Sequence, residues 1–231
     1  MTTNTKTHLI LLTALLLAPL AALYAAEPNE FVFCTRDRMD ERYDMMRSVM
    51  DQQWLYIHNL AADPAHRQTL ERMRAALEKR IIANNDNGFL PEGSQLEGYD
   101  ASRVPGAYPI ERVFALANLA SERKAAHLPK LIAALDDPCE PLRWWAAQGC
   151  TMLRDKAAPA ENALRQRLAD PSGAVQAAAA EALARLGKMD AAMPVLERCQ
   201  KMDGKVKLQA ENVLYRLGKT AGVAGTNGVA P

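Results

Sequence analysis

The chain has 231 residues and is nearly balanced in charge, with 28 Lys and Arg residues against 27 Asp and Glu residues. This balance excludes the basic excess with which proteins hold a phosphate backbone, so no nucleic-acid partner is expected. Aromatic residues make up only 6% of the sequence, and its abundance of Ala and Leu favours closely packed helices over a β-sandwich.

The N-terminal residues form a separate pattern. Lys6 precedes an apolar run over residues 9–24, which ends at two alanines and acidic sequence. This pattern predicts a signal peptide over residues 1–26, and therefore an exported protein in the periplasm or outside the cell. The alternative is a retained membrane anchor, because a run of about 18 residues can span a bilayer. Pro19 interrupts the run and favours cleavage, after which no membrane span is expected.

Residues 27–107 predict a small α+β segment followed by a linker. Two β-prone runs, 30–33 and 54–57, indicate a β-hairpin. A helix is predicted after the Asp-Pro pair at 63–64 and ends at the Asn- and Gly-rich residues 84–88. Its apolar face is formed by Leu70, Met73, Leu77 and Ile81.

A family resemblance in this segment is carried by Phe33 and by residues 36–44, 47–49, 55–57, 59–64 and 88–92. These residues resemble the C-terminal subdomain of bacterial arylsulfatases and heparan-sulfatase-like enzymes. The resemblance implies a small antiparallel sheet with a helix packed on it. The large α/β catalytic domain of a sulfatase, with its calcium ligands, has no counterpart in the sequence, so this chain is not expected to be an enzyme.

One cysteine mimics the formylglycine motif of sulfatases. Cys34 is followed four residues later by Arg38, but Arg36 stands where the motif requires Pro or Ala, so no modification is expected. Arg36, Arg38 and Arg42 belong to a run of mixed charges that reads most simply as a solvated, mutually paired loop. The alternative, which the resemblance implies, is an anion-binding site for a sulfated glycan.

The sequence predicts no metal and no cofactor. The four histidines, His8, His58, His66 and His127, are scattered and share no spacing with carboxylates or cysteines that would suit a metal. No catalytic residue is therefore assigned.

From residue 108 to residue 218 the chain repeats itself. Residues 142–153, 175–187 and 206–218 align at offsets of 33 and then 31 residues, and their apolar residues recur three and four apart. A shorter apolar stripe precedes each of these runs, so each repeat is predicted to contain two helices.

The turns between these helices have their own signals. Asp137-Pro138 and Asp170-Pro171 hold equivalent places, where Pro ends one helix and Asp can cap the next. Gly187 and Gly218 end helices where a left-handed residue is needed. The pattern resembles the HEAT family and its short phycobilisome-lyase-like variety. The predicted fold is therefore mainly α: a short α-solenoid of HEAT-like helical repeats at 108–218, after the small α+β segment and before a disordered tail at 219–231.

Two adjacent tryptophans are predicted to behave differently. Trp145 stands where the next repeat has Ala178, and Gly149, one turn later, is expected to provide the space for its indole. Trp144 falls on the inner face that such solenoids leave exposed. Arg143, Trp144 and Gln148 are therefore candidate partner-binding residues. The alternative is that Trp144 only covers a neighbouring helix or the preceding segment.

All four cysteines are predicted to be free thiols. Cys139 and Cys150 are separated by about 15 Å of helix, which is too far for a disulfide. Cys150 and Cys199 take positions that other repeats fill with leucine, so burial is expected for both.

The repeats and the missing catalytic domain predict a non-catalytic exported scaffold that binds a protein partner. The alternative is a fragment or accessory chain of a sulfatase, that is, a sulfuric ester hydrolase system, and binding of sulfated glycan is a weaker alternative.

Overall fold

The computed structural model describes residues 32–36, 46–50, 55–57, 67–202 and 204–218. The predicted signal peptide and tail, and the side chains of Arg36, Arg38 and Arg42, lie outside the described residues. The chain divides into two compact units, Met1–Arg36 with Met46–Leu77, and Asp37–Met45 with Glu78–Pro231. The unit that contains the repeats therefore begins well before residue 108.

The first unit contains a three-stranded antiparallel sheet in the order β1-β2-β3. Its strands are β1 (Val32–Arg36), β2 (Met46–Met50) and β3 (Leu55–Ile57). Cys34 pairs with Ser48, and Val49 pairs with Tyr56. The predicted hairpin between the first and last runs is wrong, because β2 lies between them and pairs with both. Antiparallel strands that follow one another closely in sequence usually pair directly.

Helix α1 spans Arg67–Ala83, close to the predicted bounds. Three residues of its predicted apolar face, Met73, Leu77 and Ile81, are buried. Asn85 follows with a positive φ of 48°, a conformation in which asparagine readily ends a helix. The prediction for this helix is confirmed.

The second unit contains a short α2 (Tyr99–Arg103), then α3 (Ile110–Ser121) and three helix pairs. The pairs are α4 (Leu128–Ala134) with α5 (Glu140–Leu153), α6 (Glu161–Arg167) with α7 (Gly173–Arg185), and α8 (Met189–Cys199) with α9 (Lys205–Arg216). This arrangement confirms the predicted two helices per repeat and the mainly helical solenoid.

The second helices of the pairs stack on one another. Helix α5 packs against α3, α4 and α7, and α7 packs against α6, α8 and α9. Helix α3 therefore packs against α5 as one additional helix that precedes the first pair. Every residue of α5 from Pro141 to Cys150 is buried, so α5 is a central helix of this unit rather than one with a free face.

The two Asp-Pro turns are built alike but do not cap helices as predicted. Asp137 Oδ1 accepts a hydrogen bond from the backbone N–H of Cys139, and Asp170 Oδ1 accepts one from Ser172, both at 2.9 Å. The N-cap residues are Cys139 and Ser172 themselves. Each aspartate lies two residues too early to reach the first turn, so it stabilises the turn instead. Gly187 and Gly218 have φ values of 78° and 67°, which confirms their predicted role.

Candidate functional site

The three candidate partner-binding residues lie inside the protein. Arg143, Trp144 and Gln148 expose only 7%, 1% and 4% of their surface. The prediction that Trp144 is exposed on the inner face is therefore wrong, because α5 is buried on all sides. Burial removes the exposure on which the partner-binding assignment depended.

Trp144 and Trp145 pack against each other edge to face, with ring centroids 5.1 Å apart. The indole Nε1 of Trp145 donates a hydrogen bond to the backbone oxygen of Phe89 at 2.9 Å. The ring of Phe89 in turn meets Phe114 of α3 at 5.3 Å. Trp145 thus joins the central inner helix to the segment before the repeats.

Gly149 is needed for a different contact from the one predicted. A Cβ added at Gly149 would lie 2.7 Å from Leu131 Cδ2 and 3.2 Å from the Cβ of Ala120. No atom of Trp145 is among these neighbours. Gly149 therefore allows α5 to approach α4 and α3 closely, while its role in making room for the indole stays a prediction.

Arg143 joins the first two repeats through a buried ion pair with Asp170, which we call the strut. Its Nε and Nη2 donate to the two carboxylate oxygens of Asp170 at 2.8 and 2.9 Å, and its Nη1 donates to the backbone oxygens of Asp137 and Pro138. Asp170 is 3% exposed. The hydrogen bonds to Asp170 raise the pKa of Arg143. A paired, two-point contact of this kind fixes both distance and orientation.

In the next repeat a neutral side chain occupies the position of Arg143 and also forms hydrogen bonds between neighbouring elements. Gln176, 33 residues after Arg143, donates to the backbone oxygen of Asp170 at 2.6 Å and accepts from Arg198 Nη2 at 2.9 Å. In the third repeat the aligned residue is Lys207, which is exposed. The sequence contained a signal for these contacts, because the spacing from Asp137 to Asp170 equals the spacing from Arg143 to Gln176.

Residues 91–98, here called the strap, connect the first turns of two inner helices. Ser94 Oγ donates to Glu140 Oε2 at 2.6 Å, and the other oxygen of Glu140 accepts from Ser172 Oγ at 2.5 Å. Further along, Glu97 forms an ion pair with Lys205 at the start of α9. A Cβ on Gly93 would lie 2.8 Å from the side chain of Val206. The strap therefore contacts the inner helix of the first pair, α5, and the inner helix of the last pair, α9.

Residues 128–215 match a family model of HEAT repeats. The match begins at the first residue of α4 and ends within α9, so it covers the three helix pairs and supports a HEAT-like array. It covers less than half of the chain and does not reach residues 30–92. A search of curated proteins and a search of solved structures each gave no significant match. The resemblance of residues 30–92 to sulfatases is thus not supported by any comparison.

The HEAT-like array exposes two large apolar residues on its last inner helix. Leu208 and Tyr215 of α9 are 50% and 62% exposed. In the repeat alignment Leu208 occupies the position of Ala177 and Trp144, which are buried. The exposure that the sequence predicted for this position is therefore present in the last repeat and not in the first.

The cysteines of the HEAT-like array are thiols without a disulfide in the part of the chain that the structure describes. Cys150 and Cys199 are buried as predicted, and Cys139 is half-buried. Burial raises the pKa of Cys150 to about 12 and also raises the pKa values of Cys139 and Cys199. The side chain of Cys34, within β1, lies outside the part of the chain that the structure describes.

Other charged groups of the HEAT-like array form local surface pairs. Hydrogen bonds from Lys124 and His127 lower the pKa of Glu122 to about 2, and Lys188 and Arg165 lower the pKa of Glu161. Among the described residues, no cluster of three or more His, Cys, Asp or Glu side chains could hold a metal ion. No helix within these residues has the length and apolar character needed to cross a membrane.

Proposed function

We propose that this chain is a non-catalytic scaffold that binds a protein partner through its HEAT-like array. The observation that carries this proposal is the buried Arg143–Asp170 strut, which holds successive repeats in one relative position. Repeat arrays serve mainly as extended binding surfaces. A surface that is already rigid loses little conformational freedom on binding, which favours affinity.

We also propose that the scaffold acts outside the cytoplasm. The support is the N-terminal pattern of Lys6, an apolar run and small residues before residue 27. N-terminal sequencing of the chain from a periplasmic or secreted fraction tests this part. A chain that begins at Met1 and stays with the cytoplasmic fraction would contradict it.

Affinity capture tests the scaffold itself. The full chain, tagged at its C-terminus, is chemically cross-linked in its native compartment and the bound proteins are quantified. Asp170→Asn, which weakens the strut, should reduce recovery of a specific partner. The control Asp190→Asn changes an exposed aspartate of α8 and should leave recovery unchanged. If the captured proteins are the same as those on an unrelated helical protein, the scaffold proposal is wrong.

A second candidate is an accessory chain of a sulfatase system. Its support is limited to the small antiparallel sheet, which is one part of what the sulfatase resemblance implies. Co-elution of the chain with a sulfatase catalytic chain tests this candidate. Binding of sulfated glycan through Arg36, Arg38 and Arg42 is tested separately, since replacing all three with Gln should abolish salt-resistant retention on heparin resin.

A further inference from the structure

We propose that the strap is an autoinhibitory segment that occupies the partner-binding edge of the HEAT-like array until a partner displaces it. This inference rests on the proposed scaffold function and adds where the partner binds and what chemistry it presents. The partner offers an extended segment of the form Gly-Ser-x-x-Glu. The strap itself presents these groups to the array, in Gly93, Ser94 and Glu97.

Two polar contacts hold the strap on the inner helices. Ser94 Oγ donates to Glu140 Oε2 of α5 at 2.6 Å. Glu97 forms an ion pair with Lys205 of α9. The strap thus contacts the first turn of the inner helix in the first pair and the first turn of the inner helix in the last pair. A partner that lay along these first turns would meet the strap before it met the array.

Gly93 allows the backbone of the strap to lie directly on an apolar side chain of α9. A Cβ on Gly93 would lie 2.8 Å from Val206 Cγ2, and its φ is 81°. A Cβ on Gly173, at the start of α7, would lie 2.9 Å from the other methyl group of Val206 and 2.9 Å from Met202 Sδ. Since Val206 has so little free space around it, a segment that replaces the strap needs glycine at this position.

The base of the loop that carries the strap is held by contacts of its own. Arg103 Nη1 donates to Asn87 Oδ1, and its Nη2 donates to the backbone oxygen of Asn84, both at 2.7 Å. Asn87 Nδ2 donates to the backbone oxygen of Gly98 at 3.1 Å. These hydrogen bonds join the two ends of the loop to each other and not to the inner helices. The strap can therefore leave the array while its ends stay together.

The contacts between the strap and the array are polar and partly exposed, which favours exchange with a partner. The side chains of Lys205 and Glu97 are 53% and 36% exposed, and exposed ion pairs contribute little to stability. Gln95 is exposed and Leu96 is only half-buried, so this part of the strap gains little from apolar burial. Ser94 is buried, but a serine of the partner can donate the same hydrogen bond to α5.

Binding of a peptide with the sequence of residues 90–98 tests the inference. The peptide is titrated into the full chain, and the amide resonances of the chain are followed by NMR. In the wild type the tethered strap competes at an effective concentration of about millimolar, so the peptide should bind weakly. The double variant Ser94→Ala with Glu97→Lys loses both polar contacts and should bind the peptide at least roughly tenfold more tightly. The shifted resonances should include those of Glu140 and Val206.

A matched control changes the strap without changing its contacts with the array. Gln95→Lys also adds a positive charge to the strap, at an exposed side chain, and should bind the peptide as the wild type does. Equal binding of the peptide by the wild type and the double variant would overturn the proposal. Absence of binding by a double variant that keeps the circular dichroism spectrum of the wild type would also overturn it.

Lys205→Glu tests the ion pair and leaves the sequence of the strap unchanged. This variant repels Glu97 of its own strap. It should prefer a peptide with Glu97→Lys to the wild-type peptide by roughly fivefold, and the double variant should show the opposite preference. The same preference in both chains would show that the peptide does not occupy the place of the strap, and the proposal would be wrong.

Affinity capture separates this inference from the scaffold function. The double variant should recover at least roughly threefold more of the native partner than the wild type, because its strap no longer competes. If both chains recover the same partner in equal amounts, the scaffold function stands and only this inference fails. If neither chain recovers a specific partner, the scaffold function fails, and the inference that rests on it fails as well.

Discussion

Trp145 donates its indole hydrogen to the backbone oxygen of Phe89, a residue 56 positions earlier in the chain. Their rings lie 6.2 Å apart, and both residues are buried. This bond joins a segment outside the repeats to the central inner helix. It explains why the compact unit that contains the repeats begins before the first of them.

Trp145→Phe should lower the free energy of unfolding by about 2 to 4 kcal/mol, because it leaves the buried Phe89 oxygen without this donor and opens a cavity. Urea denaturation followed by circular dichroism measures the change. Tyr215→Phe, at an exposed aromatic residue, is the control and should be close to wild type. A loss below about 1 kcal/mol would mean that this bond contributes little.

Trp144→Ala should also be strongly destabilising, by about 3 to 5 kcal/mol, because the side chain is buried. On the exposed face that the sequence predicted for Trp144, the same change would cost only about 0.5 kcal/mol. Leu208→Ala is the matched control, since Leu208 occupies the same repeat position but is half exposed. Similar thermal melts for the two variants would contradict the difference in burial.

Asp170→Ala should cost about 3 to 5 kcal/mol, because it leaves the buried guanidinium of Arg143 without its carboxylate partner. Combining it with Arg143→Met should recover part of this loss, since no unpaired charge then remains. A double-mutant cycle from denaturant unfolding gives the coupling energy. Additive losses would show that the ion pair does not couple the two repeats.

Ser94→Ala should destabilise the chain modestly, by about 1 kcal/mol, through loss of its hydrogen bond to Glu140. The effect should be concentrated where Glu140 also meets Ser172, at the start of α7. Hydrogen exchange of the first turn of α7 measures this. Ser121→Ala, whose hydroxyl only contacts its own helix, is the control. Unchanged exchange at α7 would mean that the strap does not support that helix.

Cys150 should resist alkylation in the folded protein at pH 9, because burial raises its pKa to about 12 and keeps the thiol protonated. The unfolded thiol ionises near pH 8.5. The stability that the buried, protonated thiol of Cys150 contributes is therefore fully present below that pH, and it is lost as the pH rises toward about 12. Mass spectrometry after timed iodoacetamide treatment, with and without urea, measures the protection. The half-buried Cys139 serves as the internal comparison, and equal labelling of both thiols would contradict the prediction.

The sequence alone was sufficient for the repeating helix pairs, because local signals determine them. Apolar spacing of three and four residues defines each helix, and residues such as Gly187 end helices through a backbone conformation that few other residues adopt. The middle strand of the sheet was not predicted. Residues 46–50, in which Arg47 and Ser48 interrupt the apolar residues, carried too weak a β signal to be recognised as the middle strand.

Only the tertiary structure decided which repeat positions are buried and which are exposed. Trp144 and Leu208 occupy equivalent places in the sequence repeat, yet one is 1% exposed and the other 50%. Local periodicity fixes the direction of a side chain on its helix, but burial depends on what packs against that side of the helix. The contact of Ser94 with Glu140 joins residues 46 positions apart, a pairing that no local pattern encodes and that forms only when the segment before the repeats folds against them.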